Sequence, residues 1–313
     1  MFFDAHTDLL FDVDARAAAG ERQILRRHHL PRLRQGGAFG ALFVLWLEPE
    51  NATWQRTERM MAFARAELAE TPEVQLVTTV REAEQARREG RFFLLPGIEG
   101  MDAIGEDLQK LEQYHAFGCR HGMLTWNGRN ALAGGAKAQE FGLSPLGAQA
   151  VRWMQRHSMA VDVSHLSDRS FWDVLRLTEQ PVIASHSNCR ALCEVPRNLT
   201  DDQLRAIRDC GGVVGLNAYH EFLHPDRTRQ TAEQLARHAA HIIDLCGIES
   251  VGCGFDFCEF LPGEETEPRT IGLADSGDVP NFFDCLRRMG LRQDELDAIA
   301  YGNFYRVLGE ILG

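Results

Sequence analysis

The chain has 313 residues, 44% of them hydrophobic and 25% charged, and carries a formal net charge of −12. This is the composition of a soluble globular enzyme with ample material for a core. The acidic balance argues against nucleic acid, whose phosphates need a Lys/Arg footprint, and no apolar run approaches the length of a membrane span.

Apolar, strand-like runs occupy 2–6 (FFDAH), 38–46 (AFGALFVLW), 92–98 (FFLLPGI), 120–125 (RHGMLT), 159–163 (MAVDV), 181–185 (PVIAS), 212–217 (GVVGLN) and 250–255 (SVGCGF). Between them, helical patterns fall at 54–69, 105–116, 145–157, 168–177, 201–209 and 231–246, with two more in 292–311. Ser167 and Thr200 stand as N-caps, and Gly247 closes the helix ending at Cys246. Short buried strands alternating with helices mean βαβ units and a parallel sheet. Eight of them predict an α/β fold, a (β/α)8 TIM-like barrel, as a single domain over 1–313. The extra run 74–79 (VQLVTT) is a flanking strand or a ninth one. An open doubly wound sheet is the alternative, but "DAHTDLLFD" lacks the glycine-rich phosphate loop expected after its first strand.

The eight cysteines form no CxxC pair and several sit in apolar runs, so they read as reduced, mostly buried thiols. The N-terminus has no basic n-region followed by an apolar h-region, and the expected location is cytoplasmic.

In a barrel the chemistry sits at the carboxyl ends of the strands. There the sequence puts His6 and Asp8, Glu99 in "LPGIEG", His165 in "VDVSH", His186 in "IASHS" and Asp256 in "CGFDF". Imidazole nitrogens and carboxylate oxygens suit zinc and similar divalent ions. His6 and Asp8, two apart on an extended chain, are expected to point the same way. Three histidines and two carboxylates suffice for two ions with one carboxylate bridging. A water between the ions would be acidified from about 15.7 towards roughly 7, which makes hydroxide available. Asp256 is then the natural proton shuttle.

Each of these residues alone has a plainer reading, as a loop histidine, a cap or a hydrogen-bonded core side chain. Five strand ends carrying such groups together do not. His238 and His241 share a helix face without a carboxylate at HExxH spacing and read as packing or surface. His28 and His29 lie in a basic run with Arg22, Arg26, Arg27 and Arg32, read as a solvated segment or lid. "GEETEP" at 263–268 reads as an exposed loop near the barrel mouth. Ser164 and Ser185 precede histidines, but without a GxSxG elbow neither reads as a nucleophile.

The segments "DAHTDLL", "GIEG", "VDVSHLSD", "IASHSNCRAL", "PRNLTDDQL", "GGVVGLN", "VGCGFDF" and "GNFYRVL" stand in the order found in the membrane (renal) dipeptidase family of the amidohydrolase superfamily, and the chain resembles that family from residue 2 to about residue 308. The resemblance implies a distorted (β/α)8 barrel, two zinc ions and hydrolysis of dipeptides, including those with a D-residue at the C-terminal position. By motif, His6 and Asp8 would hold one zinc, His165 and His186 the other, and Glu99 would bridge them, with Asp256 as acid/base. Arg197 in "PRN" matches the arginine that pairs with the substrate's carboxylate, and Tyr219 in "LNAY" matches a substrate-contacting tyrosine. Where many relatives read "LTH", with a histidine that helps stabilise the substrate carbonyl, this chain reads "LTW", so Trp126 or Asn127 reshapes the carbonyl site or polarisation falls to the metals. "DFCE" puts Cys258 at the second aspartate of the family's "DFDG". The anchor of the secreted relatives is not carried over, and relatives are often dimers.

The sequence therefore predicts a zinc-dependent dipeptidase acting on a small dipeptide, with no membrane or nucleic-acid partner and a homodimer by analogy. Another amidase, acting on an N-acyl amino acid or a lactam, and a non-catalytic metal-binding protein are the alternatives.

Overall fold

The computed structural model describes residues 1–261 and 267–313, so Gly263, Glu264, Glu265 and Thr266 of the expected acidic loop lie outside the described residues. Nine strands form one parallel sheet: β1 (Phe2–Thr7), β2 (Ala38–Trp46), β3 (Val74–Leu76), β4 (Phe92–Glu99), β5 (His121–Met123), β6 (Ala160–Asp162), β7 (Ile183–Ala184), β8 (Val213–Leu216) and β9 (Val251–Cys253). Eight run in the order β1-β2-β4-β5-β6-β7-β8-β9, and β3 is a branch paired with β4 over Phe92–Leu94. The extra apolar run is thus a flanking strand, and the eight-strand path curls into a nearly closed barrel.

Among the described residues no ladder joins β1 to β9, and a side chain spans the seam. Asp4 Oδ1 accepts the Phe255 N–H at 2.9 Å and the His6 N–H at 3.4 Å. Below the strand ends, alternate residues of successive strands fill the interior, among them Phe3, Ala5, Leu42, Phe93, Leu95, Ala160, Ile183 and Val213. The last helix, Asn303–Leu312, sets Phe304, Val307, Leu308 and Ile311 in contact with that layer. The rest of the core lies between the strands and the surrounding helices, each of which presents one apolar stripe.

The caps read from sequence are made. Ser167 accepts the Ser170 N–H, Thr200 forms a capping box with Gln203, and Gly247 takes φ 93° after the helix Ala232–Cys246. Several barrel strands are shorter than their apolar runs, because the chain turns out of the ladder as it reaches the mouth.

The basic run at 22–32 is solvated only in part, at Arg22 and Arg27, and is neither a loose segment nor a lid. It forms a π-helical turn, Leu25–His29, leading into the helix Leu30–Gly36, and it is pinned by ion pairs. His29 is buried with Nε2 2.7 Å from Asp12 Oδ2, Arg26 meets Glu73 at 2.6 Å, and Arg32 meets Glu259 at 2.5 Å. Opposite charges far away in sequence decide this segment, and local composition does not reveal them. His238 is buried, its Nδ1 accepting the Cys189 N–H and its Nε2 bonded to Leu223 O, while His241 pairs with Asp201. All eight cysteines are free, with Cys210 and Cys258 half-buried and the others buried. Among the described residues no helix is long and apolar enough to cross a membrane.

Candidate active site

All six strand-end residues converge at the carboxyl mouth of the barrel. The way β1 delivers its pair differs from simple alternation. The β1–β2 register shifts between Asp4 and Thr7, and Asp8 lies past the strand, at the N-cap of the helix Leu9–Ala18. A bulge and a turn, rather than period two, bring Asp8 Oδ2 to 3.6 Å from His6 Nε2. The same irregularity leaves Asp4 in the β1–β9 seam.

Glu99, the last residue of β4, stands between His6 on one side and His165 and His186 on the other. Its Oε2 is 3.4 Å from His6 Nε2, and its Oε1 is 2.7 Å from His165 Nε2 and 3.5 Å from His186 Nε2. Asp256 Oδ1 lies 3.7 Å from His6 Nε2. His165 and Asp256 are non-glycine residues at φ 66° and 58°. Such a backbone costs of order 1 kcal/mol and persists where the surrounding structure enforces it.

The donor set fits divalent metal ions. His6 Nδ1 and Nε2 and Asp8 Oδ1 are buried polar atoms without a hydrogen-bond partner, a costly arrangement unless a cation completes it. His165 Nδ1 is 2.9 Å from Asn127 Oδ1, an acceptor, so the proton sits on Nδ1 and the Nε2 lone pair is free. His186 Nδ1 lies 2.7 Å from Ser185 Oγ, a hydroxyl that can accept its proton and leave Nε2 free. The His165 and His186 Nε2 atoms are 2.9 Å apart, both turned to the same space beside Glu99. Two clusters, His6–Glu99–His186 and His6–Asp8–Asp256, have ligand atoms close enough to share an ion.

The electrostatics carry the same sign. Burial pushes the Glu99 carboxyl up to about 8, with Asp8 and Asp256 adding to the rise, and Asp256 goes to about 6 for the same reason. Burial would lower His6, but the carboxylates of Glu99, Asp8 and Asp256 outweigh it and hold the imidazole well above its ordinary value. Burial drives His165 and His186 well below theirs, which keeps them neutral and able to ligate.

Of the residues that support this group, Asp162, His121 and Asn217 carried no signal of their own in the sequence. Asp162 is fully buried, and its carboxylate is held below its ordinary range, the bond to His121 Nε2 at 2.5 Å outweighing the cost of burial. Its Oδ1 accepts the N–H groups of Ser164 and Ser185, fixing the turns that carry His165 and His186. Asn217 Nδ2 donates to Asp256 Oδ2 at 2.9 Å. Ser185, discounted as a nucleophile, is hydrogen-bonded to the His186 imidazole. Asn127 lines the cavity, and its oxygen is already taken by His165.

A cavity of about 500 Å³ opens above this cluster, lined by Phe11, Trp46, Trp126, Arg197, Tyr219 and Asp256 among others. Arg197 is only 7% exposed, donates to His186 O at 3.0 Å and Ser187 Oγ at 3.3 Å, and leaves Nε without a partner. No carboxylate pairs with it among the described residues. A buried cation lining a cavity without its anion marks a place for a ligand's carboxylate.

A family model described as membrane dipeptidase (peptidase family M19) matches residues 1–312. An uncharacterised protein from the pqqA 5′ region of Klebsiella pneumoniae is 31% identical over 276 residues, covering 84% of this chain and 97% of that protein. An uncharacterised dipeptidase of Schizosaccharomyces pombe is 34% identical over 228 residues, covering 71% of this chain and about half (53%) of its own length. Among solved structures, the metallopeptidase dipeptidase AC superposes with a TM-score of 0.88 at 28% identity, over 100% of this chain and 99% of that one. A metallopeptidase from Rhodobacter sphaeroides, solved with a phosphinate mimic of the dipeptide L-Ala-D-Ala, gives 0.87 at 27% identity over 99% of both chains.

Proposed function

The chain belongs to the membrane dipeptidase family of metal-dependent peptide-bond hydrolases, and from that premise we propose that it is a zinc-dependent dipeptidase, one domain over 1–313, that uses all the strand-end residues in one reaction. The observation that carries the reading is the Glu99 carboxylate, with one oxygen turned to His6 and the other to His165 and His186, above which opens a cavity lined by a buried arginine that no carboxylate pairs among the described residues. His6 and Asp8 would hold one ion, His165 and His186 the other, and Glu99 would bridge; the mixed imidazole–carboxylate set suits zinc. When bound, such a pair of ions acidifies a water and polarises the scissile carbonyl.

The protein's own groups do the rest. Arg197 clamps the substrate's C-terminal carboxylate, which admits substrates with one residue beyond the bond and excludes longer ones. Asp256, fixed through Oδ2 by Asn217, takes a proton from the attacking water at Oδ1 and gives it to the departing amine. Asn127 and Ser185 hold the imidazoles of His165 and His186 in the ligating tautomer. Trp126, which lines the cavity where relatives carry a histidine, has one N–H donor and no charge to offer a carbonyl, so polarisation falls to the ions. The D-residue at the C-terminus of the mimic bound by the Rhodobacter relative supports acceptance of such a residue here.

Asp256→Asn tests the mechanism. The variant should bind metal as the wild type does while kcat falls by roughly 10²–10⁴. A metal-loaded variant of undiminished kcat would remove Asp256 from the reaction.

A further inference from the structure

Resting on the dipeptidase reading, we propose that the cavity selects dipeptides whose N-terminal residue carries a bulky apolar side chain, aromatic above all, and that Trp46 and Trp126 are the residues that select it. The sheet order divides the mouth into two halves. The ends of β1, β2, β4 and β5 adjoin and contribute Asp8, Trp46, Glu99 and Trp126, with Phe11 from the first helix. The segments after β7, β8 and β9 contribute Arg197, Tyr219 and Asp256.

A dipeptide has one orientation on this frame. Its carboxylate belongs at Arg197, and the amine released from the same residue belongs at Asp256, so the C-terminal residue covers the β7–β9 half. With the scissile carbonyl over the Glu99 cluster, the N-terminal side chain turns to the opposite wall. Trp46 is the register partner of Glu99 on β2, and Trp126 follows closely after Met123, the partner of Glu99 on β5. Two indoles therefore flank the central carboxylate.

Their rings meet edge to face at 5.6 Å, and Phe11 packs against Trp46 at 5.1 Å. All three rings line the cavity, Phe11 as a buried side chain and both indoles half-exposed to it, which core packing alone would not require. Among the described residues, Glu48 on this half of the cavity is tied to Arg56 at 2.8 Å, which offsets its pull on a basic side chain. A phenyl or large aliphatic group would cover the indole faces and displace water from them, and an alanine methyl would leave them wet.

The test compares kcat/KM for Ala-Ala, Phe-Ala and Ala-Phe with zinc-loaded wild type, Trp46→Leu, Trp126→Leu and Trp126→Phe. Wild type should prefer Phe-Ala to Ala-Ala by roughly 100-fold. Each leucine variant should cut that ratio about tenfold or more, leave the ratio of Ala-Phe to Ala-Ala unchanged, and Trp126→Phe should recover most of the loss. Melting curves confirm that each variant is folded; where one leucine variant is not, the other carries the test, and the wild-type comparison of Phe-Ala with Ala-Ala stands in either case. Equal turnover of Phe-Ala and Ala-Ala, or a preference that survives in both leucine variants, would overturn the proposal while sparing the dipeptidase reading. Failure of metal-loaded wild type to cleave any of the three would overturn both.

Discussion

Replacing Arg197 with methionine removes the positive charge and keeps most of the apolar stem. Of the five N–H donors of a guanidinium, one donates to His186 O and one to Ser187 Oγ, and Nε has no partner. The free donors can make two parallel charge-assisted bonds to a carboxylate, each contributing about 1.5–3 kcal/mol at a buried site. Losing both costs roughly 3–6 kcal/mol, which is about 10²–10⁴ in kcat/KM at 1.4 kcal/mol per tenfold. The assay pairs each dipeptide with its C-terminal amide. Wild type should prefer the free acid by that factor, and Arg197→Met should hydrolyse acid and amide at the same low rate. A melting curve separates this loss from unfolding. Wild type that cleaves acid and amide equally, or a folded variant that keeps the preference, would refute the role given to Arg197.

Two further predictions concern the metal cluster. Asn127→Ala frees the His165 tautomer and should weaken metal binding by about 10–100-fold without changing the helix content, measured by titration against a competing chelator; unchanged affinity would return Asn127 to a purely substrate-facing role. In metal-free protein, Glu99 at about 8 lies above its ordinary 4.5, and His6 is also raised, so the native state holds more protons than the unfolded one and stability falls as pH rises from 7 to 8. The lowered His165 and His186 act in the opposite direction only below about 6.5 and do not offset this. Melting temperature in chelator should therefore drop across that window, and saturating zinc should remove the slope; a rise with pH would contradict the cluster's electrostatics.

The strand-end histidines and carboxylates were legible because a parallel barrel concentrates its polar groups at one end, and polar residues closing apolar runs stand out in a single sequence. What was not legible depends on distant partners. Asp4 looks like the first of an alternating triplet, yet it spans the seam to Phe255, and only the closure of the barrel reveals that use. The β1 bulge is equally hidden, because "DAHTD" reads as regular extended chain until its register against β2 is known. His29 and Arg32 looked solvated because their partners, Asp12 and Glu259, come from a helix and a loop that local composition does not bring near. Ser185 and Asn127 gave no sign of their task, since a serine before a histidine is common and an amide oxygen becomes specific only once an imidazole faces it.

The most direct measurement is amine release by zinc-loaded protein from L,L- and L,D-dipeptides, the matching N-acetylated dipeptides and tripeptides, with Asp256→Asn protein as the blank. The account predicts turnover of free dipeptides, none of tripeptides, and at least about a hundredfold less by the blank. Silence on every dipeptide from protein verified to hold two metal ions, or equal cleavage of tripeptides, would contradict it.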